Sequence, residues 1–435
     1  MGVINVDKLG PVQIEALGRL SAEALNTAVT AKVVMTTEGF TNIYDAFNEG
    51  GAARPFDASV GAKNAVDFYR LTYNTTLPET QQIDQVSGLL AIPVGQQRSR
   101  RPKTLPLLSW QHGTIFSADQ APSALVSQGA IARDAFGAPL SSETLFNVVR
   151  FAGNGYAIAA ADYVGNGLST KNQAYAVKDA TIQTTQDMIT GAVAAIQRLV
   201  PSKLSNPVGG LFLNGWSQGG MNTQWLGSAL QNDGIIVHKQ AQSASPSDLQ
   251  KTFSYWLNDF QGVPNSLTVT IPLLLGAYET YYGIKGLMSA AIKSDYLDTS
   301  NRIYNQQVDW ANVPTPQEGE GLLGLPLTPK AMVNSSFLEE FNAGKGDFYK
   351  QIKANNALEQ RFNWPTRFYG GTGDNVVPPP FSITLPVEFQ QSLGSTTSIG
   401  VDAGANGSHR STFLSSLFGP STNPSDNILS WFNTP

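Results

Sequence analysis

Gly215-Trp216-Ser217-Gln218-Gly219 lies between an apolar run, Leu211-Phe212-Leu213, and the helix-like Met221-Asn222-Thr223-Gln224-Trp225-Leu226. A strand that enters G-x-S-x-G and leaves as a helix makes a sharp turn with the serine at its apex. The flanking glycines matter because a β-carbon at either place would meet the neighbouring strand or helix, while the apex itself is strained. Alone, the pentapeptide says little in a chain with 41 glycines among 435 residues. Its surroundings decide the reading.

Outward from the turn, strands and helices alternate. Upstream, Leu105 to Gln111 is a short apolar run ending in His112-Gly113-Thr114. Ser142 to Ala152 has helical spacing, and Tyr156 to Ala161 reads as a strand that ends in the Gly-rich Asp162-Tyr163-Val164-Gly165-Asn166-Gly167. Ala180 to Leu199 predicts a long helix with Pro201 beyond its end. Earlier still, Ala65 to Thr72 and Val86 to Val94 are strand-like, with Asn74-Thr75-Thr76 and Pro78 as the loop between them, and Pro11 to Ala28 is spaced as a helix. A strand near Ile235 to Gln242 follows the central helix. Such alternation implies parallel βαβ units under helical layers, so the fold class is α/β with a mostly parallel central sheet flanked by helices.

After Ser247 the alternation stops. Leu249 to Phe260, Pro272 to Ile292, Pro329 to Phe341 and Asp347 to Asn356 are helical patterns, separated by a Gly/Pro-rich section from Asn312 to Pro326. Alternation resumes with Thr366 to Gly370 and a last strand near Thr397 to Asp402. The expected organisation is an N-terminal segment over 1–64, a first core part over 65–247, a helical cap insertion over 248–362 and a second core part over 363–435. No internal repeat is evident.

Composition narrows the function. Hydrophobic content of 41% supports a real core, while charged residues make up 14% and the net charge is -5. That balance argues against nucleic acid as a partner, since phosphate binding needs clustered Lys and Arg. Arg98, Arg100, Arg101 and Lys103 form one basic stretch, read as a solvated loop. The absence of cysteine excludes disulfides, thiolate metal sites and cysteine catalysis, and three histidines make a histidine-rich metal centre an unexpected use of them. Met1 to Leu25 lacks the pattern of a secretory signal. The longest apolar stretch, Ile271 to Ile292, carries Glu279 and Lys285 and reads as an amphipathic or buried helix, not a transmembrane segment. Low charge and missing thiols suit a secreted or periplasmic protein.

Four motifs carry a resemblance. Ser109-Trp110-Gln111-His112-Gly113-Thr114, Asp162-Tyr163-x-Gly165-x-Gly167, Gly215-Trp216-Ser217-Gln218-Gly219-Gly220 and Gly370-x-x-Gly373-Asp374-x-x-Val377-Pro378 together resemble an α/β-hydrolase fold, most of all the secretory lipases of the lipase A type. The similarity spans roughly Ala65 to Pro435 and is weakest in the cap. It implies a helical cap before the acid strand and hydrolysis of acyl esters with no cofactor and no metal. The turn around Ser217 also resembles that of polyester hydrolases with Trp before the serine.

A serine hydroxyl needs a base to become a nucleophile, and the base needs an orienting acid. The α/β-hydrolase arrangement implies the chain order serine, acid, histidine. His112 precedes Ser217, and His238 follows it with only Asp233 between, which leaves His409 as base. Asp374, in a glycine loop after a strand, is the expected acid; it precedes His409 by 35 residues, room for one helix and one strand. Asp248 is its rival. The oxyanion of the tetrahedral intermediate is expected to rest on the backbone N–H of Gln218 and one from Gly113 or Thr114. His112 and Trp216 are candidate substrate contacts, with packing roles as the alternative. Asp162 is expected to tie down its turn, and His238 to be an ordinary strand residue. The aromatic residues of the cap favour acyl or aromatic esters as substrates. A serine peptidase or amidase, or an acyltransferase, would share the same three side chains.

Overall fold

A computed structural model describes residues 9–33, 42–94, 104–200, 208–262, 267–313, 316–404 and 406–434. The basic stretch Arg98 to Lys103 lies outside them. In chain order come β1 (Gln13–Leu20), α1 (Ala22–Thr30), α2 (Ile43–Phe47), β2 (Val66–Leu77), β3 (Gln82–Pro93) and β4 (Leu105–Gln111). A two-stranded ribbon, β5 (Val126–Ser127) and β6 (Ala130–Ile131), precedes α3 (Ser142–Arg150), β7 (Ala157–Ala161), α4 (Lys178–Leu199), β8 (Val208–Trp216), α5 (Gln218–Asn232) and β9 (Val237–Ser243). A helical block follows: α6 (Leu249–Asn258), α7 (Leu267–Tyr281), α8 (Leu287–Ala291), α9 (Ser294–Tyr304), α10 (Pro329–Met332), α11 (Ser335–Asn342) and α12 (Gly346–Ala354). The chain then makes β10 (Thr366–Gly370), α13 (Leu385–Ser392), β11 (Ser398–Asp402), α14 (His409–Phe418) and α15 (Ile428–Phe432).

Among the described residues, nine strands form one sheet in the order β1-β2-β3-β7-β4-β8-β9-β10-β11. From β7 to β11 every neighbour is parallel; β1, β2 and β3 add an antiparallel edge. The central strands are apolar for the reason parallel sheets always are, since helices cover both faces. On one face α4 and α5 share a single hydrophobic cluster with the helical block, through Met188, Trp225, Phe253 and Tyr278. On the other face α1, α3, α14 and α15 pack through Leu25, Phe146, Phe413 and Leu429. Burying an aromatic or branched side chain of this size contributes roughly 2–3 kcal/mol, so neither layer is a loose attachment.

Several sequence expectations shift. Pro11 to Ala28 is not one helix: its first part is edge strand β1, paired with β2 and bulged between Ala16 and Gly18. The helix starts only where Ser21 caps it by accepting the Ala24 N–H at 3.0 Å. Asn74-Thr75-Thr76 is not a loop, because the ladder with β3 continues to Leu77 and β-branched threonines suit it. Pro272 to Ile292 is two helices, interrupted where Gly283 and Gly286 adopt positive φ. Pro272 sits inside α7, and α9 forms where the sequence pattern predicts no helix. Among the described residues no helix is long and apolar enough to cross a membrane, and no His/Cys/Asp/Glu cluster could hold a metal ion.

Candidate active site

β4 and β8 are neighbours, but the chain leaves β4 toward β7 on one side and leaves β8 toward β9 on the other, so the connections diverge between them. Open α/β sheets offer a crevice at such a point, beyond the C-terminal ends of the strands. Two segments emerge there: the loop starting at His112 after β4, and Ser217 after β8.

Ser217 has φ 55° and ψ −123°, outside the regions ordinary residues favour. Its N–H donates to the Ser243 carbonyl at 2.9 Å, which ties the apex to β9. The glycines around it have no room for a side chain. A β-carbon on Gly215 would lie 2.1 Å from the Gly219 carbonyl oxygen, and one on Gly219 would lie 2.0 Å from that of Gln111. The second contact presses the turn directly against the loop after β4.

His409 is the first residue of α14, whose N-terminus carries a capping box: Ser408 Oγ accepts the Ser411 N–H, and Ser411 Oγ accepts the Ser408 N–H. His409 Nε2 stands 2.9 Å from Ser217 Oγ, and Nδ1 stands 2.9 Å from Asp374 Oδ2. Asp374 is buried, and its other oxygen accepts the N–H groups of Val376 and Val377, both at 2.9 Å. Three contacts thereby fix the plane of the carboxyl. The acid and histidine loops touch: a β-carbon on Gly371 would lie 2.3 Å from the Gly407 carbonyl oxygen. So the structure brings together the three side chains expected from the sequence.

Other candidates lie outside this relay. Asp248 caps α6, accepting the Lys251 N–H at 3.1 Å and pairing with the Lys251 ammonium at 3.4 Å. Trp216 is buried behind the turn; its indole N–H donates to the His409 carbonyl at 3.1 Å and its ring stacks on Phe413 at 4.8 Å. His112 is buried and stacks on Tyr163 at 4.1 Å, with Nδ1 2.8 Å from the Gly113 carbonyl and Nε2 3.3 Å from that of Asp162. Burial drives the imidazole down to about 4 against the pull of those two carbonyls, so it is neutral near pH 7. Asp162 accepts from the hydroxyls of Ser87 and Ser123, both at 2.6 Å, and from the Ser123 N–H at 2.8 Å, joining its turn to β3; burial nevertheless raises its carboxyl above the usual range. His238 lies on β9 near the Phe212 ring, remote in sequence and contact from this group.

Gln218 and Thr114 present backbone N–H groups with no protein partner among the described residues, whereas the Gly113 N–H donates to Glu143 Oε2 at 2.8 Å. Glu143 carries no sequence motif; its partner is 30 residues away, so only the fold reveals it. The helical block reaches the site at two places. From α6, Tyr255 OH donates to the Asn375 carbonyl at 2.9 Å and the Trp256 indole to that of Val376 at 2.7 Å. From the segment after α9, the Trp310 indole donates to the Phe116 carbonyl at 3.1 Å. A cavity of about 280 Å³ opens elsewhere, among α7, α8 and α9, with Asn172, Glu279, Thr280 and Tyr304 in its lining; none of Ser217, Asp374 and His409 borders it.

No family model matches the chain, and no curated protein matches it in sequence. Solved structures do. A candidate hydrolase from Legionella pneumophila aligns with TM-score 0.72 at 17% identity, over 92% of this chain and 94% of its own. The rice cell wall degrading esterase LipA from Xanthomonas oryzae aligns with TM-score 0.68 at 19% identity, over 97% and 98%. Candida antarctica lipase A in its closed state aligns with TM-score 0.56 at 15% identity, over 89% and 80%. At such identities the likeness concerns architecture, and the architecture is the α/β-hydrolase fold.

Proposed function

We propose that this chain is a serine hydrolase of carboxylic esters that works through an acyl-enzyme. One observation carries the reading: an unbroken relay of 2.9 Å contacts from Ser217 Oγ through the His409 ring to Asp374, with the serine on a strained apex. His409 Nε2 takes the Ser217 proton as Oγ attacks the ester carbonyl carbon, and Asp374 holds the ring in the required orientation. The carbonyl oxygen becomes an oxyanion held by backbone N–H groups, Gln218 among them. The intermediate collapses when His409 returns the proton to the departing alkoxide. Water then repeats the sequence on the acyl-serine, its proton passing through His409, and the carboxylic acid leaves.

An esterase and a lipase among the structural neighbours support esters over amides as the substrates. The apolar helical block beside the site, rich in buried Leu and aromatic side chains on α6 and α7, supports acyl or aromatic esters of low polarity. We read residues 248–362 as the cap of this enzyme, and a neighbour that degrades cell walls supports an exported location. The test is Ser217→Ala assayed on a 4-nitrophenyl ester: turnover should fall to background with the circular dichroism spectrum unchanged. Activity retained in that variant would remove the serine from the mechanism.

A further inference from the structure

Two amides of the loop after β4 are equivalent on sequence grounds, Gly113 and Thr114, but the structure treats them differently. The Gly113 N–H is occupied by Glu143, which sits in the first turn of α3. That helix is well anchored to the sheet. Trp110 on β4 donates to Thr144 Oγ1 at 3.4 Å, and Asn214 on β8 donates to Asn147 Oδ1 at 3.1 Å. Gly113 is also confined sterically, since a β-carbon there would lie 3.0 Å from the Trp216 ring and 3.1 Å from Glu143 Oε2. Thr114 is held by its side chain instead, its hydroxyl 2.8 Å from Tyr175 OH, and its N–H has no partner among the described residues.

We propose that Glu143 is a positioning residue for the oxyanion loop: by engaging the Gly113 N–H it orients the following peptide so that the Thr114 N–H joins that of Gln218 in holding the oxyanion. The inference rests on the ester-hydrolase reading above. It explains why a carboxyl is placed beside a glycine amide within a site that must stabilise negative charge. Burial pushes this carboxyl up to about 7, against the opposing pull of the Gly113 N–H and the Arg410 charge. Protonated or not, an oxygen lone pair remains for Gly113, so the clamp is independent of ionisation. An amide offers the same lone pair, which makes glutamine the conservative replacement.

The test compares the full-length wild type with Glu143→Ala, Glu143→Asp, Glu143→Gln and Ser217→Ala. Turnover of a 4-nitrophenyl ester is read beside inhibition by an alkyl trifluoromethyl ketone, which Ser217 would convert to a tetrahedral oxyanion adduct. Removing one oxyanion donor typically costs about 100-fold or more in kcat. Glu143→Ala should therefore lose about 100-fold in kcat with KM within about twofold, and its inhibition constant should weaken by a comparable factor. Glu143→Gln should stay within about threefold of wild type in both. Glu143→Asp, one methylene short, should behave as Glu143→Ala, and serves if the alanine variant does not fold. The proposal is overturned if Glu143→Ala or Glu143→Asp folds and keeps kcat, if kcat falls without loss of inhibitor affinity, or if glutamine rescues nothing. Turnover by Ser217→Ala would overturn the ester-hydrolase reading itself, whereas an inactive Ser217→Ala beside an active Glu143→Ala would overturn the clamp alone.

Discussion

The loop that carries Asp374 is tied from within, by the Trp256 indole on the Val376 carbonyl and by two backbone N–H groups on the carboxyl, all among buried atoms. The loop that carries His409 is tied on its outer side by charge. Ser408 Oγ donates to Glu49 at 3.1 Å, and Arg410 pairs with the same carboxylate at 3.4 Å, with both side chains about half exposed. From inside, the Trp216 indole supports that loop through the His409 carbonyl. The difference teaches where precision is invested. A carboxylate that orients a base gains from a dry, hydrogen-bonded seat, where an unmade bond costs about 1–3 kcal/mol. An exposed ion pair contributes about 0–1 kcal/mol and can be replaced by solvent.

The sharpest way to break the contrast is Asp374→Asn, which should lower kcat by about 1,000-fold or more by favouring the wrong ring tautomer. Asp248→Asn, by contrast, should leave kcat within about twofold and lose at most about 1 kcal/mol of helix capping; steady-state kinetics of both variants decides which carboxyl orients the base. Next comes Trp256→Phe, which strips the inner tie and leaves the Val376 carbonyl unpaired. It should cost about 2 kcal/mol in urea unfolding and lower kcat about tenfold.

Buried neutrality on the neighbouring loop gives the third test. His112 has a folded value of about 4, below its unfolded value, so the unfolded chain binds the extra proton first. Stability from this residue is full above about pH 6.5 and is lost as pH falls toward 4, about 2 kcal/mol of it between pH 7 and pH 5. Glu143 contributes with the opposite slope, because its raised carboxyl loses stability as pH rises toward 7. Comparing His112→Gln with wild type by urea unfolding at both pH values cancels the Glu143 contribution. The variant should gain about 2 kcal/mol on the wild type at the lower pH. The smallest effect belongs to the rim: Glu49→Ala should change stability by less than about 1 kcal/mol and kcat by less than about twofold. A large effect there would erase the distinction between the two loops.

Much of this was readable from the chain. Leu105–Gln111 and Thr366–Gly370 have the bounds the sequence predicts, the first a mostly apolar run closed by His112-Gly113, the second a Thr, Phe and Tyr stretch of strand formers closed by a glycine loop. Ser217, Asp374 and His409 could be picked out because glycine loops and a scarcity of histidine leave few alternatives. What escaped depends on tertiary partners. Leu17 and Leu20 mimic a helical stripe, yet pairing with β2 draws that segment into the sheet. The helix α9 buries only Ser300, Ile303 and Tyr304, too sparse a stripe to stand out. Glu143 looks like any acidic residue in the first turn of a helix, and nothing local announces that Gly113 lies against it.

The positive φ of Ser217 has a further meaning. Backbone held in such a region carries about 1–3 kcal/mol that the surrounding packing must absorb. Glycine, with no β-carbon, would rest there without complaint, so a chain with glycine at this apex would outlast the one that carries serine.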